Sequence, residues 1–386
     1  MSRPPAIPLA DVADRWLHSL AADTGSAALA EIDGATLLGE RAMLRGLHIP
    51  GRVSAGGGCH LFDTATGTVA LNLARDDDRA LLPALFEVET ADDLPALFAR
   101  TDASRLVERG RAMGLAIAAE REARASPPPR EMLAQGSTAA PRTRLPRVLD
   151  MSALWAGPLA AHLLWLAGAD VVKVESRTRP DAMRDGPDAA FHALLNQGKT
   201  GVPLDLREER SALLALIATA DIVIEAARPR ALAQLGIDAV ALVSTIPGLV
   251  WITITAHGAA GEAAEWVGFG DDCGVAAGLG SAFRDANGRA GFVGDAIADP
   301  LTGIRAAEVA WRAWSAGSGG RYGVTMRGVA AAALAEARVG GTLDAALRAW
   351  GHAQGRPFPA ISRRRVGRLS AQGLDGRHGF AGPTQC

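Results

Sequence analysis

Two carboxylates stand four residues apart in Val293-Gly294-Asp295-Ala296-Ile297-Ala298-Asp299-Pro300-Leu301-Thr302-Gly303. A carboxylate has two uses at such a place. It is a nucleophile toward activated acyl groups, because attack by its oxygen exchanges one activated acyl species for another of similar energy. It is also a helix N-cap, accepting the free backbone N–H groups of a first turn. Asp299-Pro300 precedes apolar residues at Leu301, Ile304, Ala307, Trp311 and Trp314, a spacing that predicts a helix with Asp299 as its cap and Pro at its first position. The two uses are compatible, since a helix N-terminus favours the ionised form that attacks. The local pattern assigns no role to Asp295.

The elements that must position these acids follow from hydrophobic periodicity. From residue 147 the short apolar runs "RVLDM", "DVVKVE", "GVPLDL", "DIVIEA" and "LVWITIT" alternate with helical stretches such as "AAHLLWLAG", which predicts a parallel sheet with crossover helices, doubly wound in the nucleotide-binding manner. A ligand then belongs beyond the carboxyl ends of the strands, where the first strand-to-helix turn, "SALWAGPLAAH", offers backbone N–H groups. No G-x-G-x-x-G follows that strand, so a dinucleotide is not the leading ligand. Ser126 to Pro146 is rich in proline and small polar residues and reads as a linker. Before it, "CHLFDTATGTVALNLA" reads as two strands around a turn among short helices. The expected organisation is an α/β chain with a smaller α+β domain at 1–125, a linker at 126–146, a large Rossmann-like domain at 147–350 and a basic, Gly-rich, solvated tail at 351–386.

The 386 residues carry 40 basic and 42 acidic side chains, a balance that argues against nucleic acid or an anionic membrane as partner. The N-terminus lacks the basic-then-apolar run of a signal peptide, and no apolar stretch is long enough for a membrane span, so the expected location is cytoplasmic. Three cysteines, Cys59, Cys273 and Cys386, fit no paired-ligand zinc motif and read as free thiols. The scattered histidines and the missing G-x-S-x-G elbow leave zinc and serine hydrolases unsupported. No metal and no cofactor is expected.

Four segments in order resemble the class III coenzyme A transferases, the family of formyl-CoA and carnitine-CoA transferases with α-methylacyl-CoA racemases as relatives. They are "RVLDMSALWAGPLAAHLLWLAGADVVKVES" (147–176), "NQGKTGVPLDL" (196–206), "ADIVIEAARPRALAQLGID" (220–238) and "GDAIADPLTGIRAA" (294–307). The last is similar to the family segment in which the catalytic Asp lies four residues before a Gly, and so matches Asp299 with Gly303. The resemblance implies an enzyme that moves coenzyme A between carboxylic acids through an aspartyl-CoA thioester on Asp299. It further implies an acyl-CoA and a carboxylic acid acceptor as substrates, with CoA entering as substrate rather than cofactor, and a homodimer. It also implies CoA or substrate contacts from Trp155, Ala156, Gly157 and Pro158 in the first turn and from Arg177, Arg184, Lys199 and Arg228. Trp155 stands where formyl-CoA transferases carry a Gln, which suggests a bulkier or less polar acyl group.

The chain departs from the family in three places. Ala226 and Arg230 replace an Asn and a Gly that usually shape the CoA site, which raises the alternative of a catalytically weakened acyl-CoA-binding homologue. Phe269 and Gly270 stand where racemases carry a His and an Asp, which disfavours a racemase or isomerase, and the neighbouring Asp271 and Asp272 read as an exposed turn pair. The small-domain elements come first in the chain instead of being inserted in the large domain. Gly56 to Cys59, "GGGC", reads as a turn before a strand, and by resemblance as a loop over the active site.

Overall fold

The computed structural model describes residues 5–122, 125–140 and 144–364. Five of its strands are the ones that the apolar runs predict: β5 (Arg147–Asp150), β6 (Asp170–Ser176), β7 (Thr200–Leu204), β8 (Ile222–Glu225) and β9 (Val250–Thr255). β5, β8 and β9 are buried almost throughout, as expected of a parallel sheet covered by helices on both faces, whereas β7, at the sheet edge, buries only Val202 and Leu204. Two further strands complete a seven-stranded sheet in the order β4-β10-β9-β8-β5-β6-β7. β10 (Gly320–Thr325) runs parallel to β9, and β4 (Arg130–Gln135) pairs antiparallel with β10 at the edge. β5 lies between β6 and β8, so the strand order reverses beside it. That switch point opens a crevice at the carboxyl ends of the strands, at Asp150 and Glu225.

A separate antiparallel sheet holds the hairpin β1 (Cys59–Thr64) and β2 (Gly67–Asn72) with β3 (Ala116–Ala119) beside β2. Phe98, Leu106, Val107 and Ile117 fill a core of its own. A small apolar cluster of Cys59, Leu61, Ala70, Val275, Ala290 and Phe292 joins this sheet to the large unit through the Gly270–Ala276 helix.

The structure corrects three expectations about organisation. The N-terminal helices Ala10–Thr24 and Gly34–Arg45 do not belong to the small sheet. Trp16, Leu17, Leu20, Leu37 and Leu38 share one core with Leu159, Leu163, Ile304 and Trp311 of the large unit, because their apolar faces match the outer face of the helices beside β5 and β9. The stretch read as linker supplies β4; residues 141–143 of it lie outside the described residues. The tail is packed as far as residue 364, while 365–386, with Cys386, lie outside the described residues. Phe358 meets Trp350 edge to face at 5.4 Å, Ile361 packs against the core, and Arg364 pairs with the buried Glu40 at 2.5 Å. Among the described residues, no helix is long and apolar enough to cross a membrane.

Burial pushes the Glu40 carboxyl up, and the Arg364 charge pulls it back. Removing one partner of such a pair strands the other charge. Arg364→Ala is therefore expected to destabilise the fold by about 3 kcal/mol or more, and Glu40→Gln in the same chain to recover most of that loss. Urea unfolding of the two variants checks both.

Candidate functional site

The 298–315 helix begins at Ala298, with Ile297 as its flanking residue, so Asp299 is inside the first turn and is not the cap. Its carboxylate reaches away from its own helix. It accepts backbone N–H groups from Ala156 and from Gly270, the first residues of the Ala156–Leu166 and Gly270–Ala276 helices. Two other helices thus direct their N-termini at one carboxylate, each presenting free N–H groups and a positive dipole end.

Each partner arrives by a constrained route. Between β5 and Ala156, Leu154 adopts a left-handed backbone (φ 66°), a costly conformation for a branched residue, and the Asp181 carboxylate accepts its N–H at 2.9 Å. Beneath this turn Asp150 binds the Ser152 N–H and hydroxyl. Lys173 donates to the Ser152 carbonyl, and Lys199 spends its three donors on Asp150, Pro158 O and Asn196. On the far side, Gly294 and Ala296 are left-handed (φ 75° and 42°), and the Ala296 N–H is held by Asp271 at 3.0 Å. Gly303, one turn beyond Asp299 on the same face, explains the spacing. A Cβ there would stand 2.8 Å from Leu159 and 3.0 Å from Ala156 O, so only Gly lets the two helices close enough for Ala156 to reach Asp299. At Gly270 a Cβ would overlap Asp299 Oδ2 itself.

Around Asp299 lies a cluster of acids. Asp271 and Asp272 are not an exposed turn pair. They occupy the first turn of the Gly270–Ala276 helix, where Asp272 is fully buried, accepts the Phe269 N–H at 2.9 Å and faces His257 at 3.5 Å. Asp295 is fully buried and pairs with Arg41 at 2.7 Å, and Arg41 also holds Asp188 at 3.0 Å. Gly56 of the "GGGC" turn passes over this guanidinium, leaving 3.0 Å between Arg41 Nη2 and a Cβ at that position. Burial pushes Asp299 up to about 7, against the pull of Arg41 and of the two N–H groups. It does the same to Asp271, reinforced by Asp295. Desolvation therefore outweighs the helix N-termini, and Asp299 is not held permanently ionised, as its position at a helix start had suggested.

A cavity of about 680 Å³ opens between the small sheet and the carboxyl edge of the large one. Five arginines line it: Arg75 and Arg111 from the small unit, and Arg179, Arg228 and Arg230 after β6 and β8. Asp77, Asp78, Glu262 and Glu265 line it too, and Asp78 and Glu265 pair with Arg75 and Arg230; burial, then Arg230, Arg75 and Arg179, depress the Arg228 pKa against the pull of Glu265. Trp266 forms another wall under the Arg111 guanidinium, 4.5 Å from its ring centre. It is four residues from Gly270, hence within about 14 Å along the chain.

Of the residues singled out from the sequence, the structure brings Asp299 and Ala156 into contact and puts Arg228 in the cavity. Gly157 and Pro158 continue the first turn of the same helix. Trp155 is core, 3% exposed and edge to face with Phe191 at 4.9 Å, so it says nothing about acyl size. Arg177 and Arg184 sit at the surface in ion pairs with Glu209 and Glu175, and Lys199 is a buried brace; none of the three lines the cavity. Arg230, marked only as a departure, adds a cation to it. Arg41 and Arg75 were missed because they come from segments with no local signal. Arg179 stands two residues beyond Arg177 and could have been found by allowing for the turn after β6.

Residues 146–336 match the family model described as CoA-transferase family III. The chain is 33% identical over 172 residues to a succinate–glutarate CoA-transferase of Agrobacterium fabrum, covering 41% of this chain and 43% of the relative. A succinyl-CoA–L-malate CoA-transferase alpha subunit of Chloroflexus aurantiacus is 33% identical over 40% of this chain and 37% of its own length. A probable fatty acyl-CoA transferase of Mycobacterium tuberculosis is 38% identical over 30% and 32%. The match thus spans less than half the length of these curated relatives. Among solved structures, a Mycobacterium tuberculosis protein matches with TM-score 0.47 at 29% identity, covering 52% of this chain and 58% of that one. A CaiB/BaiF family protein from Brucella suis matches at 0.44 and 27%, covering 50% and 55%.

Within the family III segment, a raised acid binds protons in the folded state that it releases when unfolded. Asp271 and Asp299, near 7 when folded and about 4 when unfolded, therefore stabilise the fold less as pH rises from about 4 through 7. Asp271→Asn keeps an acceptor for Ala296 and removes one such charge. The variant is expected to match the parent at pH 5 and to exceed it by on the order of 2 kcal/mol at pH 8, as thermal unfolding at the two pH values will report.

Proposed function

We propose that the chain moves coenzyme A between carboxylic acids, with Asp299 as the nucleophile. The observation that carries this reading is the Asp299 carboxylate held by the Ala156 and Gly270 N–H groups inside the segment that the family model covers. The ionised carboxylate attacks the thioester carbonyl of a donor acyl-CoA and expels the CoA thiolate, leaving a mixed anhydride on Asp299. The thiolate then attacks the aspartyl carbonyl, which releases the donor acid and forms an aspartyl-CoA thioester. An acceptor carboxylate repeats both steps in reverse and leaves as its CoA ester. Each tetrahedral stage on the aspartyl carbon carries an oxyanion where the carboxylate oxygens now sit. The two N–H groups that hold Asp299 are suited to receive it without reorganising.

The arginine cavity supports the other half of the reading. A CoA molecule carries a diphosphate and a 3′-phosphate, which Arg guanidinium groups bind through paired hydrogen bonds. Arg75, Arg179, Arg228 and Arg230 converge in a space of suitable size, which Trp266, four residues before Gly270, also lines. The names of the relatives point to dicarboxylic acids and to fatty acids, so both classes belong among the donors and acceptors to be tried.

The test is to incubate the protein with a panel of acyl-CoAs, quench with hydroxylamine and map the adduct by mass spectrometry. A hydroxamate at Asp299, absent from Asp299→Asn, is the expected result. Binding of the whole panel with no adduct would replace the transferase by a non-catalytic acyl-CoA-binding homologue. Arg228→Ala with Arg230→Ala is expected to weaken CoA binding by about a hundredfold or more while barely affecting the binding of pantetheine, which lacks the phosphates.

A further inference from the structure

Asp272 has no part in the chemistry above, yet it is fully buried, and a buried carboxylate persists only with partners. Its two oxygens are used differently. Oδ1 accepts the Phe269 N–H at 2.9 Å and the side-chain amide of Asn72, on β2, at 3.4 Å. Oδ2 faces Nε2 of the buried His257 at 3.5 Å. A Cβ at Gly268 would stand 2.8 Å from both Oδ2 and Nε2, so the backbone one residue before Phe269 packs directly on this pair.

Arg111 decides what His257 can offer. Its Nη2 lies 3.4 Å from Nδ1, and a guanidinium only donates. The lone pair of the neutral ring is therefore on Nδ1 and the proton on Nε2, toward Asp272. Arg111 is itself held by both Glu122 oxygens, at 3.1 and 2.8 Å, and by the face of Trp266. The donor atoms of His257, Asp272 and Cys273 come within 4.8 Å of one another, close enough for a metal site. This tautomer turns an N–H rather than a lone pair toward the other two, so the cluster acts as a brace.

The residue that Asp272 holds carries the peptide that serves Asp299. Phe269 is extended (φ −129°, ψ 176°), and its torsion angles set where the next N–H, that of Gly270, points. That N–H meets the Asp299 carboxylate, and the approach is close enough that a Cβ at Gly270 would overlap Asp299 Oδ2. Taking Asp299 as the nucleophile proposed above, we propose that Asp272 is a positioning residue: by holding the Phe269 N–H it aims the Phe269–Gly270 peptide at Asp299. His257, set in one tautomer by Arg111, keeps the Asp272 carboxylate in place. Asn72 and Arg111 belong to the small unit, which thus supports one of the two N–H donors besides lining the cavity.

The experiment reads the Gly270 amide itself. Phe269–Gly270 is the only Phe-Gly step in the sequence, so protein labelled with carbonyl-carbon-13 Phe and nitrogen-15 Gly gives one correlated NMR signal. It uses no acyl-CoA, so its outcome is separate from that of the hydroxylamine trap. In the parent the amide proton is expected to move as Asp299 titrates around pH 7, and to stay still in Asp299→Asn. In Asp272→Ala the movement is expected to fall by about half or more and the amide to exchange with solvent about tenfold faster, as for one lost hydrogen bond. Asp272→Asn, which keeps an acceptor for Phe269, is expected to restore most of the movement. His257→Phe, which leaves Asp272 in place but unsupported, is expected to lose part of it and carries the test if Asp272→Ala does not fold. A folded variant of either kind whose Gly270 amide moves and exchanges as in the parent overturns the proposal, because a purely structural role would lower the melting temperature and leave the amide unchanged. A parent amide that does not follow Asp299 overturns it too.

Discussion

Everything at this site turns on one conflict. A carboxylate that attacks must be ionised, and a site that excludes competing water must be closed, yet closure favours the protonated acid. Around Asp299 burial wins by enough to bring the group to about 7. It would win by more without the N–H groups of Ala156 and Gly270 and the charge of Arg41. The surrounding architecture supplies those three influences: the strained turn after β5, the Gly303 approach between two helices, the left-handed turn before Asp299, and the packing of the Gly34–Arg45 helix.

These supports come from separate parts of the chain. The segment that the family model matches contributes Asp299, the backbone of Ala156 and Gly270, and Arg228. The N-terminal segment contributes Arg41, and the small unit contributes Arg75 and Arg111 to the cavity. The crevice at the reversal of strand order is where these parts meet, since β5, β6, β8 and β9 all end there. The buried Asp150–Lys199–Lys173 assembly lies directly beneath the first turn, so a family-like lysine serves the backbone that holds Asp299 rather than the ligand.

How much was legible in the sequence depended on whether a residue's role was local. β5, β6, β8 and β9 announced themselves because strands covered on both faces are apolar along most of their length. β4 did not, because an edge strand with exposed Arg130, Glu131 and Met132 has no such constraint, and β10 did not, because Gly320, Arg321 and Gly323 interrupt its run. Asp299 was visible through its spacing to Gly303, which in this structure reflects the close approach of the 298–315 helix to Leu159 and Ala156. Its cap assignment failed by two residues, since Asp-Pro is equally at home inside a first turn when other helices take the carboxylate. Arg41 and Asp295 were invisible as a pair, separated by 254 positions and joined only by the packing of the N-terminal helices on the large unit. The same packing overturned the boundary at residue 125, because amphipathic helices show that they bury a face without showing against what.

The account holds that Asp299 attacks only when ionised and that its surroundings set that ionisation near neutrality. The most direct test is the pH dependence of the single-turnover rate of CoA-adduct formation on Asp299, measured with saturating acyl-CoA. The rate should rise as one proton is lost with a midpoint near 7 and level off above it. A rate that is flat from about pH 5 to pH 9, as expected of an ordinary exposed carboxylate already ionised throughout, would contradict the account.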